Sequence, residues 1–355
     1  MNYKELWKKY KEVLSLKEKI DEEAKIVAKE ILANMKNDQP LYKLVIFKMV
    51  ELFKKEKIKK EEEKKEKYNK ISQLLDMLNI NNLEKNFDIP KNSHYQKWHT
   101  LKINALYQVE KFEECLELIE KVERESEIYE KEDYCEVIRK KYLIYGKSDL
   151  DEKLKIAING LKELGYKNKK WYCLKEAADI LFNNNELEKS TEIYEEILLS
   201  NKITEMFLNC LEKLAYIYYA DDKELSKLCY KIIYFLRIEK KWPINTEKYE
   251  EKFEESFNLF DIGDKKNLLI DFRKKILKKR KSYFGKISIL NKGYGFITSI
   301  EKKNYYFTLK NKNYLKVGDE VSFYLKKGFD FKKNKESEEA IYVNKIFGGK
   351  NVQNA

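Results

Sequence analysis

The residues best suited to chemistry lie near the end of the chain, in Lys292-Gly293-Tyr294-Gly295-Phe296-Ile297. Glycines between aromatics leave flat rings beside a backbone that a nucleotide can approach closely, and the lysine attracts phosphate. A second cluster, Tyr305-Tyr306-Phe307, follows at strand spacing. Alternation places Tyr306 on the face of Tyr294 and Phe296, while Tyr305 and Phe307 point to a core. Three rings on one face offer π-surfaces to unpaired bases, each stack worth about 1–3 kcal/mol. Other chemistries lack their residues. The chain has two histidines, His94 and His99, and five cysteines that stand singly, without metal-ligand spacing. It has no phosphate-binding Walker loop, no G-x-S-x-G and no H-E-x-x-H. We therefore expect a binding protein and not an enzyme, with no metal and no cofactor.

The elements that must position these rings read as five short strands: Lys286–Leu290, Tyr294–Thr298, Tyr305–Leu309, Glu320–Leu325 and Ala340–Asn344. Val317-Gly318-Asp319-Glu320 supplies a turn into the fourth, and Gly328 opens a polar, Lys-rich loop into the fifth. Some sixty residues are too few for two packed sheets, so a small closed antiparallel barrel is expected. Its core would be Ile287, Ile297, Phe307, Val321, Phe323, Ile341 and Val343.

This stretch resembles a cold-shock domain. Residues 292–297 match the first RNA-binding motif of that family, K-G-F/Y-G-F-I, and Tyr306 matches the stacking aromatic of the second. Gly285, Asn291 and Leu315-x-Val317-Gly318-x-x-Val321-x-Phe323 match its framework. The resemblance implies an OB-fold that binds single-stranded RNA or DNA and melts structured RNA. Ser288 and Thr308 join the candidate face on the same alignment. This chain departs from the family at Ile289, where Trp is usual, at Leu290 for Phe and at Thr308 for His, and its loop after Asn291 is two residues shorter. Phe329 and Phe331, in the loop after the fourth strand, are candidate substitutes for the missing rings.

Charge divides the chain at nearly the same place as pattern. The net charge is +12, yet residues 271–355 carry 21 Lys and Arg against 8 Asp and Glu, or +13, leaving −1 for residues 1–270. Seven of the eleven glycines also lie between Gly285 and Gly349. A basic, aromatic-rich end on a neutral body points to a polyanion-binding module. The stretch Arg273 to Lys281 reads as a basic linker, whose Arg273, Lys274, Lys278, Lys279 and Arg280 are candidates for phosphate contact; a helix with snorkelling lysines is the alternative.

The body is helical. Segments starting at Phe112, Leu150, Leu187 and Leu225 are separated by 38, 37 and 38 residues. Each follows a polar turn and a helix carrying Leu106, Ile144, Leu181 or Tyr219 six residues earlier. This is the period of a helix–turn–helix solenoid, and residues 94–240 resemble tetratricopeptide repeats. Small residues suited to close crossings are only partly present (Ala105, Ala178, Ala215), and the period exceeds the family's usual 34. The resemblance implies a surface for a protein partner. Before it, Ile20 to Met35 and Leu41 to Phe53 read as helices, and Lys54 to Lys67 as a solvated helix of Lys and Glu pairs. Neither a signal peptide nor an apolar run near the roughly 20 residues of a membrane span is present.

The expected organisation is mainly α and multidomain: an N-terminal helical region (1–93), tetratricopeptide-like repeats (94–270), a basic linker (271–282), a cold-shock-type OB-fold barrel (283–347) and a tail (348–355). The expected function is single-stranded nucleic-acid binding, RNA foremost, coupled to an unidentified protein partner in the cytoplasm, away from membranes. The alternative is a protein-interaction scaffold or regulator, of the kind found in phage-defence systems, whose barrel is structural.

Overall fold

The computed structural model describes residues 3–15, 22–34, 40–58, 60–85, 93–244, 264–309, 314–330, 333 and 335–346. Phe331 and the expected tail lie outside the described residues. A mostly helical body is followed by a closed five-stranded barrel. The chain packs as two units, Met1–Ala157 and Ile158–Ala355. The boundaries expected at 93/94 and 282/283 mark changes of local pattern, whereas the packing divides inside one helix of the repeat region. No helix among the described residues is long and apolar enough to cross a membrane.

The first unit holds α1 (Tyr3–Ser15), α2 (Glu22–Asn34), α3 (Pro40–Lys55), α4 (Glu61–Asp76), α5 (His94–Gln108), α6 (Phe112–Arg124), α7 (Lys131–Tyr145) and the start of α8 (Asp151–Asn168). The apolar stripes of α1 to α3 meet around Leu6, Tyr10, Ile31 and Val45. The charged segment expected as one solvated helix is instead divided between the end of α3 and the start of α4; Glu61 and Lys64 pair locally at 3.1 Å, but Lys67 is buried, its ammonium donating to the Lys54 and Glu56 carbonyls. Helix α5 starts at a capping box: Ser93 Oγ accepts from the Gln96 amide at 3.1 Å, and Gln96 Oε1 accepts from the Ser93 amide. One turn later His99 is fully buried among Tyr95, Trp98 and Tyr129.

The second unit continues with α9 (Trp171–Asn183), α10 (Leu187–Ser200), α11 (Leu208–Asp221) and α12 (Lys223–Glu239). The repeat is real in local structure. The four expected segments start, or nearly start, α6, α8, α10 and α12, and their last residues, Ile119, Ala157, Tyr194 and Ile232, are all buried. Ala105, Ala178 and Ala215 are wholly buried as well. The spacing of six residues has a backbone cause in two of the pairs. The Leu106 carbonyl accepts from the Lys111 amide and the Leu181 carbonyl from the Glu186 amide, with Glu110 and Asn185 at positive φ. This left-handed closure of a helix end aims the next helix back along the first. In the α11/α12 pair Asp222 alone joins the helices, its side chain accepting from the Leu225 amide at 3.0 Å.

The expected basic linker is instead a helix, α13 (Lys265–Lys278), which packs on α12. Leu268, Phe272, Ile276 and Leu277 recur at helical spacing and are buried in the same core as α9 to α12. Its lysines occupy the remaining faces, so apolar periodicity outweighs charge density in deciding the conformation.

The barrel comprises β1 (Tyr283–Asn291), β2 (Tyr294–Ser299), β3 (Asn304–Thr308), β4 (Glu320–Asp330) and β5 (Lys335–Lys345), closed in the order β1-β2-β3-β5-β4. This order is compatible with an OB-fold. Closure is not antiparallel throughout, because β3 meets β5 in parallel at Tyr306 and Glu339. Ile287, Ile297, Phe307, Val321, Phe323 and Val343 form the core as expected, together with Tyr305. Ile341 does not. A bulge in β5 leaves two residues, Tyr342 and Val343, opposite Phe323, with Tyr342 at φ 52°, and Ala340 takes the inward place.

Among the described residues, most of the polar loop expected after Gly328 is strand instead. Strands β4 and β5 run on as a long hairpin, with Lys326 opposite Glu339, Lys327 opposite Glu338 and Asp330 opposite Lys335. Opposite charges facing across a ladder favour this register. The hairpin docks on the helices: Phe329 is buried in their core, Tyr324 and Tyr342 pack against it, and Tyr342 Oη donates to the Leu199 carbonyl at 3.0 Å.

Phe329→Ala should therefore destabilise the second unit by about 3 kcal/mol, the usual cost of emptying an aromatic core site. Chemical denaturation should show barrel and helices losing stability together; a loss under 1 kcal/mol, as at an exposed site, would contradict the docking. In the first unit, burial pushes the His99 imidazole down to about 4, against the hydrogen bond to the Tyr95 carbonyl, which works the other way. The unfolded chain then binds a proton below about pH 6.5 that the folded chain refuses. Stability should fall by up to about 3 kcal/mol between pH 6.5 and 4. His99→Phe should remove that part of the slope, and equal slopes in both proteins would refute the assignment.

Candidate nucleic-acid interface

The outer face of β2 and β3 carries the three rings. Phe296 lies opposite Tyr306, and Tyr294 opposite Thr308. Tyr294 and Tyr306 are nearly parallel with centroids 5.8 Å apart, and Phe296 meets both edge-on at 6.1 and 5.9 Å. Tyr294 is 38 % exposed, while Phe296 and Tyr306 are half-buried by their neighbours. The pairing that makes this cluster is pure backbone register, because residues two apart on adjacent strands must share a face.

Glycine enforces the register at one point. A Cβ on Gly295 would stand 2.6 Å from the Phe307 ring and 2.7 Å from the Ile289 carbonyl. Only a bare α-carbon lets β1 and the inner ring of β3 close on β2 together. Gly293 serves differently. Its φ of 96° makes the tight turn after the exposed Lys292, and the Leu309 amide donates to its carbonyl at 2.9 Å.

Strand β1 flanks the rings. A bulge between Ile287 and Ile289 turns Ser288 and Ile289 outward in succession. Ser288 Oγ donates to the Phe296 carbonyl at 3.2 Å, and Ile289, 49 % exposed, pairs with Phe296. An aliphatic side chain thus stands where the resembled family has an aromatic one. On the other flank the parallel bridge sets Glu339 beside Tyr306. Burial raises the Tyr306 hydroxyl pKa, and the Glu339 carboxylate and Tyr294 add to that. The ring stays neutral at physiological pH. Lys326 holds Glu339 at 3.2 Å. Ile289 is marked by the resemblance alone, and Glu339 has no local signal, since its place beside Tyr306 depends on barrel closure.

The remaining candidates are not gathered on this face. Phe329, offered as a substitute platform, is only 9 % exposed and lies in the helical core, so no ring face is left for a base. Arg280 donates to Glu195 Oε2 at 3.0 Å and to the Glu192 carbonyl at 3.3 Å. Arg273 donates to the Asn201 carbonyl at 3.1 Å. Both guanidinium groups fasten α13 and its end to α10 instead of facing outward. Lys279 pairs with Asp222 at 2.8 Å and stands over the Tyr218 ring. Lys274 and Lys278 are exposed and line a groove of about 290 Å³ between α12 and α13, with Lys227 and Lys231 opposite.

No protein-family model matches the chain, and comparison with curated proteins and with solved structures finds no significant match.

Gly295→Ala should cost the barrel about 1–3 kcal/mol, the usual penalty of overpacking, and displace Phe307 or β1. Thermal melting together with the aromatic ring-current shifts of Tyr305 and Phe307 would register it. A variant as stable as the parent, with unmoved rings, would show that the close approach at Gly295 does not hold the register.

Proposed function

We propose that the protein binds single-stranded nucleic acid through a barrel of the OB-fold, cold-shock-like type, and that its tetratricopeptide-like helices serve a protein partner. The observation that carries the first part is the cluster of Tyr294, Phe296 and Tyr306, three outward rings within about 6 Å of one another on adjacent strands. Grouped rings on an outer strand face are costly to leave in water and are suited to stack on successive bases. Lys292 stands at the edge of the cluster, where a phosphate would pass. The Tyr306 hydroxyl is neutral, and the carboxylate beside it, Glu339, is paired with Lys326. The partner-binding part rests on the repeated helix pairs alone.

A second reading, in which the barrel is a structural end piece of a protein scaffold, draws support from the buried hairpin and from Glu339 beside the rings. The two readings separate in solution. Full-length protein should bind an unstructured oligonucleotide of about ten bases in preference to its duplex, since only free bases can stack. Tyr294→Ala, Phe296→Ala and Tyr306→Ala should each weaken binding by about 1–3 kcal/mol with the salt dependence unchanged. Lys292→Ala should instead flatten the slope of log K against log salt by about 0.7. Affinity that survives all three aromatic substitutions would favour the scaffold.

A further inference from the structure

A cleft of about 610 Å³ opens beside the three rings, and Tyr306 and Thr308 form part of its wall. Its other walls come from the β4–β5 hairpin, including Lys327, and from the helical body, including Lys169 and Trp171. Lys169 ends α8 at φ 53°, where the Lys170 amide closes the helix on the Gly165 carbonyl. The Trp171 indole is packed on Phe207 at 4.6 Å and half-exposed.

The charges around this cleft are unevenly matched. Of its carboxylates, Glu339 is paired with Lys326, and Glu196 is buried with Tyr166 and the Lys327 amide as hydrogen-bond partners. Behind the cleft wall Lys162 of α8 is half-buried; burial and the Lys327 ammonium hold its pKa below the ordinary lysine value, with Glu336 and Glu196 working against them. Lys169 and Lys327 line the cleft from its two sides, and cations on facing walls of a solvent-open cleft suit a bound anion. The anion must also pass Tyr306, whose ring belongs to the stacking face and to the cleft at once.

We propose that a single nucleic-acid strand leaving the Tyr294–Phe296–Tyr306 face continues into this cleft, with its phosphates on Lys327 and Lys169 and a base against Trp171. The helical body is then part of the nucleic-acid site, although its sequence is electrically neutral overall. This inference rests on the stacking role proposed for the barrel and extends its footprint.

Binding of homothymidine oligonucleotides to the full chain tests it. Oligomers of about four nucleotides can cover the rings alone, whereas about twelve would also reach the cleft, within the range of site sizes for such barrels. Lys169→Glu and Lys327→Glu should each weaken the longer oligomer by about tenfold and flatten its salt slope. The same variants should leave the shorter one within about twofold of the parent, because its phosphates do not reach the cleft. Tyr294→Ala should weaken both lengths. Lys231→Glu, in the separate groove on α12, serves as a charge control, with circular dichroism verifying that every variant folds. The cleft path is overturned if the cleft variants leave the longer oligomer unaffected, weaken both lengths alike or match Lys231→Glu, and in those cases the stacking face stands. If Tyr294→Ala has no effect on either length, the stacking role fails and the path with it.

Discussion

The β4–β5 hairpin is a barrel wall at one end and a piece of the helical core at the other, and the second unit is organised around that double membership. The bulge at Tyr342 makes it possible. By placing two consecutive residues opposite Phe323, it turns the tyrosine ring out of the barrel and onto α10, where its hydroxyl meets the Leu199 carbonyl. A tyrosine at φ 52° is strained by about 1–2 kcal/mol. Burial of the ring, its hydrogen bond and the burial of Phe329 together exceed that cost. The ion pair of Arg280 with Glu195, largely withdrawn from water, adds direction more than strength.

The same hairpin determines the surroundings of the aromatic face. Because β5 closes the barrel against β3 at Tyr306, its Glu339 stands beside the rings and its Lys327 faces α8. A barrel tethered by a flexible linker would present its rings in isolation. Here the rings lead directly into a walled cleft, and α13 is a packed helix where a tether was expected. Tyr306 and Thr308 share that cleft with residues of α8 to α10, so the helices form part of the surroundings of the aromatic face.

Much of this was legible from residue order. The period-2 run around Tyr294 places three rings together because strand geometry is local and leaves little choice. The helix pairs were legible for the same reason: apolar spacing of 3.6 residues and turns that end in a left-handed residue are properties of short segments. What misled was also local. The stretch after Gly328 looks like a solvated loop until β4 is set against β5, when Asp330 faces Lys335, and Lys326 and Lys327 face Glu339 and Glu338 across the ladder. Arg273 to Lys281 looks like a linker if charge is counted, and like a helix if Phe272 and Ile276 are.

By itself, the sequence determined the helical repeat, the strands, the grouping of Tyr294, Phe296 and Tyr306, and the concentration of positive charge after residue 270. These follow from dihedral preferences and periodicities that act within a dozen residues. Tertiary structure alone decided which cations face carboxylates, as Arg280 and Lys279 do, and which aromatics are buried, as Phe329 is. It also decided that Ala340 and not Ile341 enters the barrel core. Those outcomes depend on bulges and on contacts between segments far apart in the chain, whose energies come from packing and charge pairing that no local pattern encodes.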